Sequence, residues 1–273
     1  MHYNNNRLCQ ILNDKQETLQ MAATFLDQMK EEMTADGDPA FVKLYRDVSE
    51  AHVTRAINTV WTTAESGIER IFISSLLMNF IRNHDPLGLV ITPPMKDAVR
   101  DIADLQDGIR RLKAAVHTRE RQGGNVSPYA LFQDLEEAFQ SGLLGEWQYD
   151  LNLHMLWCYH FFGLETALHL TPQATFPKLL PGGRAARADM LCWIPGHTTF
   201  QIVVECDSYQ YHDSKQAFDS DRRRSRAFQR KGFRVLQYSG GEIWRDPIRT
   251  SFEFYDHLTN ELQEINNASE TNA

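Results

Sequence analysis

Apolar residues recur every three or four positions from Asp14 to about Met33, placing Leu19, Ala22, Ala23, Leu26 and Met29 on one helical face. The polar break Asp36-Gly37-Asp38-Pro39 ends that run. A second stripe, Phe41, Leu44, Val48, His52, Val53, Ile57 and Val60, predicts another helix. Ile68, Phe72, Leu76, Leu77 and Phe80 carry the pattern on, past a break near Ser66-Gly67, until Asp85-Pro86. Residues 95–121 form a charge-rich helical pattern with Ile102, Leu105, Ile109, Leu112 and Val116 on one side, closed by Gly123-Gly124. Ser127-Pro128 reads as the N-cap and first residue of a further helix from Tyr129 to Phe139. The first 165 residues are therefore expected to be mostly helical.

After Gly163 the period shortens. Ala174–Lys178, Arg187–Ile194 and Thr199–Cys206 read as extended segments, separated by Pro181-Gly182-Gly183 and Pro195-Gly196, and this hairpin punctuation implies antiparallel strands. Helical spacing returns over residues 214–231, Phe233–Tyr238 reads as a buried strand, and a last helix runs from about Ile248 to Ile265. Residues 266–273 read as a polar, disordered tail.

A chain of 273 residues with 42% apolar composition is long enough to bury a substantial core. Its net charge of −8 argues against coating nucleic acid through overall charge and leaves room for a local basic patch. Cys9, Cys158, Cys192 and Cys206 lie far apart without CxxC spacing, and the opening residues hold no apolar signal core, so a reduced, cytoplasmic protein is expected. No stretch is long and apolar enough for a bilayer span. Leu151–Leu164 comes nearest and contains two histidines, and "LWCYHFFGL" reads as a core helix.

The stretch "VVECDSYQYH" ends an apolar run with Glu205 and Asp207, which alternation puts on one face of a strand with Cys206 on the other. Like charges at the end of a buried strand ask for a cation. Asp189, in "RADMLCWIP", lies across the Pro195-Gly196 turn, within a residue or two of facing Gln201–Glu205, so these carboxylates converge if the strands splay. A hard divalent cation such as Mg²⁺ suits that set, whereas Cys192, Cys206 and His212 lack the paired spacing of structural zinc. His212 is a candidate for proton transfer, because its ordinary pKa lies near neutrality. From His212 to Arg249, ten Lys/Arg stand against five Asp/Glu, so an acidic chain concentrates positive charge beside its carboxylates.

These residues carry a family resemblance. "RADMLCWIP", "FQIVVECDSYQYH" and "DRRRSRAFQRKGFRVLQYSGGEIWRDP", in that order, resemble the Vsr-like (very short patch repair-like) endonuclease domains of the PD-(D/E)XK restriction-endonuclease-like superfamily. The likeness covers about Thr171 to Pro247, and "AESGIERIFISSLL" at 64–77 resembles the family's opening helix. It implies an α+β fold with an α/β/α restriction-endonuclease-like core, and a Mg²⁺- or Mn²⁺-dependent endonuclease acting on nucleic acid, DNA rather than RNA. Asp189 and Glu205 would hold the metal, Glu69 would complete the site, and Gln237 would orient water or phosphate. The superfamily's E-x-K lysine is Asp207 here, which leaves Asp207 to bind a second metal or orient water, and Ser208 stands where relatives place glycine. Arg222, Arg224 and Lys231 are the expected phosphate contacts.

The resulting organisation is a helical N-terminal region (1–63), the first helix of the core (64–83), a helical insertion (84–163), the rest of the core (164–265) and the tail (266–273). The helical regions offer a surface for a protein partner. Two other functions stay open: a catalytically inactive nucleic-acid-binding module, favoured by the missing lysine and by Ser208, and a protein-interaction scaffold that keeps the nuclease fold.

Overall fold

The structure is a computed structural model that describes residues 4–35, 37–145, 149, 152–153, 156, 167–195, 197–207 and 215–271, without the side chains of 128–129, 197–199, 207, 215–219 and 265–271. Among the described residues the fold is mixed α+β, with nine helices and one five-stranded sheet. The helices are α1 (Asn5–Leu12), α2 (Lys15–Thr34), α3 (Pro39–Thr63), α4 (Gly67–Arg82), α5 (Ala98–Arg121), α6 (Pro128–Gln140), α7 (Lys215–Arg230), α8 (Gly240–Arg245) and α9 (Pro247–Thr271). The strands are β1 (Leu89–Ile91), β2 (Leu168–Leu180), β3 (Arg184–Ile194), β4 (His197–Asp207) and β5 (Arg234–Ser239). They lie in the order β1-β2-β3-β4-β5, with β2, β3 and β4 an antiparallel meander and both outer pairs parallel.

Local chemistry sets the helix starts. Asp14, Asp38, Ser66, Asp97 and Ser127 each accept a hydrogen bond from a backbone N–H of the first turn, and Pro39 and Pro128 occupy first-turn positions where no donor is needed. The core-facing stripe of α3 begins on Val42 and Tyr45; Phe41 and Leu44, expected inside, are 47% and 40% exposed, and Phe41 stacks on Tyr45 from outside. Residues 84–163, expected as a helical insertion, also supply a strand: Leu89-Val90-Ile91 pairs with β2. β5, expected as a buried strand, is an edge strand made of exposed and half-buried residues. Helix α9 continues to Thr271, past the expected fraying point, because Asn266–Thr271 contains no glycine or proline to stop it.

The sheet separates two cores. The first gathers Leu26, Ile57, Phe72, Leu76, Met190, Val204, Phe254 and Leu258 from α2, α3, α4, β3, β4 and α9. The second gathers Ile102, Leu105, Phe176, Leu191, Trp193, Val203 and Phe228 from α5, β2, β3, β4 and α7. Helix α4 is the centre of the first core, with twelve of its sixteen residues buried, and Asn79 in it donates to Ser251 Oγ of α9 at 2.8 Å.

One buried histidine ties the helical region to the sheet, and a second lies within the sheet. His52 Nε2 lies 2.7 Å from Leu89 O; a carbonyl only accepts, so this nitrogen carries the proton. His169 packs its ring 4.4 Å from Trp193. Burial pushes His52 down to about 4, aided by the charge of Arg55, and pushes His169 down to about 3, aided by His52. Both are neutral at pH 7 in the fold, while the unfolded chain takes up protons near pH ~6.5, so each removes stability as pH falls from there toward its folded value. Asp85, pushed up to about 6 by burial, acts in the opposite sense and gains stability as pH falls through 6. His52→Gln keeps a donor for Leu89 O and removes one titration. Denaturant unfolding at pH 7, 6 and 5 is expected to show a shallower acid loss in this variant, by at most about 1.4 kcal/mol per pH unit. Parallel curves for variant and wild type would contradict the assignment.

Candidate functional site

The sheet forks at Asp189 and Glu205. The β3–β4 ladder ends at Met190↔Val204, while β3 continues with β2 through Ala174↔Ala188 and β4 continues with β5 through Glu205↔Gln237 to Asp207↔Ser239. One further step of the ladder would set Asp189 opposite Glu205. Instead Asp189 Oδ2 accepts the backbone N–H of Cys206 at 2.8 Å, so a side-chain carboxylate serves where the strands part. The two carboxylates expected to converge therefore flank the opening of the fork.

Glu205 is 1% exposed, and its Oε2 accepts from Arg224 Nη2 at 2.6 Å. Arg224 also lies 3.5 Å from Asp221, one turn earlier in α7. The position of α7 is set by aromatic packing: Phe228, four residues beyond Arg224 and on the same helix face, meets Phe176 edge-on at 5.0 Å, and Phe233 closes the triad. Seating Phe228 in the second core turns Arg224 toward Glu205. The cation that the carboxylate pair asks for is thus supplied, in this structure, by the chain itself.

Glu69 occupies the first turn of α4 and is 5% exposed. Its Oε2 accepts from the backbone N–H of Glu65 at 3.1 Å and from Gln173 Nε2 at 2.7 Å. Gln173 lies in β2 between residues paired with Met190 and Ala188, which puts it across from Asp189. Glu65 grips Arg187 of β3 through both carboxylate oxygens at 2.6 Å, holding the start of α4 beside the fork. Sequence reasoning missed Gln173; the Pro172-Gln173 pair inside a strand was its available signal.

Of the other expected residues, Gln237 pairs with Glu205 in register, is exposed, and donates to Ser225 Oγ at 3.3 Å. Arg222 and Lys231 are exposed, whereas Arg224, expected on phosphate, is half-buried against Glu205. The side chain of Asp207, and His212 and Ser208 entirely, lie outside the described residues, as does most of "LWCYHFFGL" apart from the buried Leu156. Among the described residues no group of three or more His, Cys, Asp or Glu could hold a metal ion. Burial pushes the Cys192 thiol well above its ordinary range. Among the described residues no helix is long and apolar enough to cross a membrane. Compared with protein-family models, with curated proteins and with solved structures, the chain matches none.

Removing Arg224 alone leaves a buried carboxylate without its guanidinium. Arg224→Ala is expected to destabilise the fold by about 3 kcal/mol, and adding Glu205→Gln to recover most of that loss. Urea unfolding of the two single variants and the double variant measures it; additive effects would show that the pair is not coupled.

Proposed function

We propose that this protein is a metal-dependent nuclease that hydrolyses phosphodiester bonds in DNA. The observation that carries the reading is the fork, where Asp189 and Glu205 come from adjacent strands to either side of one opening. The order of elements around it supports the same reading: a helix bearing Glu69, an antiparallel meander bearing Asp189 and Glu205, a crossing helix rich in arginine, and a strand parallel to β4.

The donor set fits Mg²⁺ or Mn²⁺, because it consists of carboxylate and amide oxygens of the kind that hard divalent cations take. Asp189 and Glu205 would hold the cation, which when bound supplies charge stabilisation at the phosphoryl group and acidifies water. Arg224 holds Glu205 in place and keeps positive charge at the opening. The exposed arginines Arg222 and Arg223 and the exposed Lys231 give α7 and its end an outer basic surface for sequence-independent phosphate contacts. The proton-transfer role of His212 rests on the sequence.

A second reading, a nucleic-acid-binding module without catalysis, draws on one specific observation: Arg224 already neutralises Glu205. Labelled DNA and RNA incubated with Mg²⁺, Mn²⁺ or chelator separate the two. Cleavage of DNA is expected with either metal, abolished by chelator, and reduced about 100-fold or more in Asp189→Asn. Salt-sensitive binding without cleavage under every condition would leave the second reading standing, and turnover in chelator would overturn the metal-dependent one.

A further inference from the structure

Gln173 combines features that a plain strand residue does not need. Its backbone has φ 54, in the left-handed region that residues other than glycine seldom adopt. Its side chain is buried at 7% exposure, and its amide has a defined orientation. Nε2 donates to Glu69 Oε2 at 2.7 Å; a carboxylate accepts, so the other end of the amide is the carbonyl oxygen. That oxygen, Oε1, is buried and has no hydrogen-bond partner among the described residues. Burying an amide oxygen without a partner is unfavourable, and Gln173 stands across from Asp189 on the wall of the fork.

We propose that Gln173 Oε1 is a ligand to the divalent cation held by Asp189, and that Glu69 is a positioning residue that orients the Gln173 amide. The proposal rests on the metal-dependent reading above and changes its ligand set, moving Glu69 from the cation to the residue behind it. A neutral amide oxygen is a hard donor that adds no charge to a site already rich in carboxylates. Glu69 binds the amide nitrogen and so turns the oxygen, and not the nitrogen, outward.

The test is Mn²⁺ binding to the full chain without nucleic acid, read by loss of the free-ion electron paramagnetic resonance signal, with thermal unfolding as the check on folding. Gln173→Gly suits the positive φ and removes the ligand, so binding is expected to weaken about tenfold or more. Gln173→Glu combined with Glu69→Gln exchanges donor and acceptor across their hydrogen bond, avoids two carboxylates at 2.7 Å, places a carboxylate oxygen at the site, and is expected to tighten binding. Glu69→Gln alone, which removes the acceptor that fixes the Gln173 amide, is expected to weaken binding, and the exchanged pair to restore it. A purely structural role for Glu69 would weaken binding in both variants.

Wild-type affinity in Gln173→Gly, with binding lost in Asp189→Asn, overturns the Gln173 assignment and leaves the metal-dependent reading intact. Absence of Mn²⁺ binding by the wild type at millimolar concentration overturns both. If Gln173→Gly does not fold, the exchanged pair decides: unchanged or weaker binding in that folded double variant overturns the proposal.

Discussion

A carboxylate buried at the end of a central strand must be compensated, and the surroundings of Glu205 follow from that requirement. Taking its charge out of water costs several kcal/mol unless a partner of opposite sign lies close. Arg224 is that partner, and its place depends on α7 being seated by Phe228 against Phe176 and Phe233. The aromatic triad joins the β2–β3 arm to the chain entering β5, so apolar packing across the fork sustains an ion pair inside it. Electrostatics and packing meet in one turn of helix, between Arg224 and Phe228.

The fork itself grows out of β2. Pro172, Pro177 and Pro181 are each followed by a residue of positive φ: Gln173, Lys178 and Gly182. A proline followed by positive φ is the geometry of a type II turn, which bends a strand when it falls inside one. Leu168 and Leu170 face the first core, whereas Ala174 and Phe176, of the same parity, face the second. In β3 the exchange falls at Asp189, with Ala186 and Ala188 in the second core and Met190 and Cys192 in the first. The hairpin arm has turned over, and the residues at the turning point are Gln173 and Asp189.

Much of this was legible in the chain, for identifiable reasons. Helix starts were readable because a cap is local: Ser66 and Ser127 act within three residues. The meander was readable from Pro181-Gly182-Gly183 and Pro195-Gly196. The nearness of Asp189 to Glu205 could be counted only to within a few residues from one turn, because the register shifts between Trp193 and Ile194: extending Ile194↔His197 would set Asp189 opposite Ile202, whereas the ladder beyond the irregularity aims it at Glu205. The partner of Glu205 could not, because an arginine nineteen residues away in α7 is one of several on that helix and only tertiary packing selects Arg224. Strand β1 escaped because three residues give too little alternation, and it pairs with a strand that follows only after α5 and α6. Gln173 escaped because a lone glutamine carries no periodicity.

The burial of α4 has a consequence for how the chain is made. Phe72 packs against Phe254, and Phe80 meets Tyr255 edge-on at 5.0 Å, so the central helix finds its last ring partners in α9. During vectorial synthesis α4 emerges long before those partners and before the sheet it covers. A nascent chain that ends ahead of Pro247 carries this heavily apolar helix partly uncovered, and the first core closes only once α9 has left the ribosome.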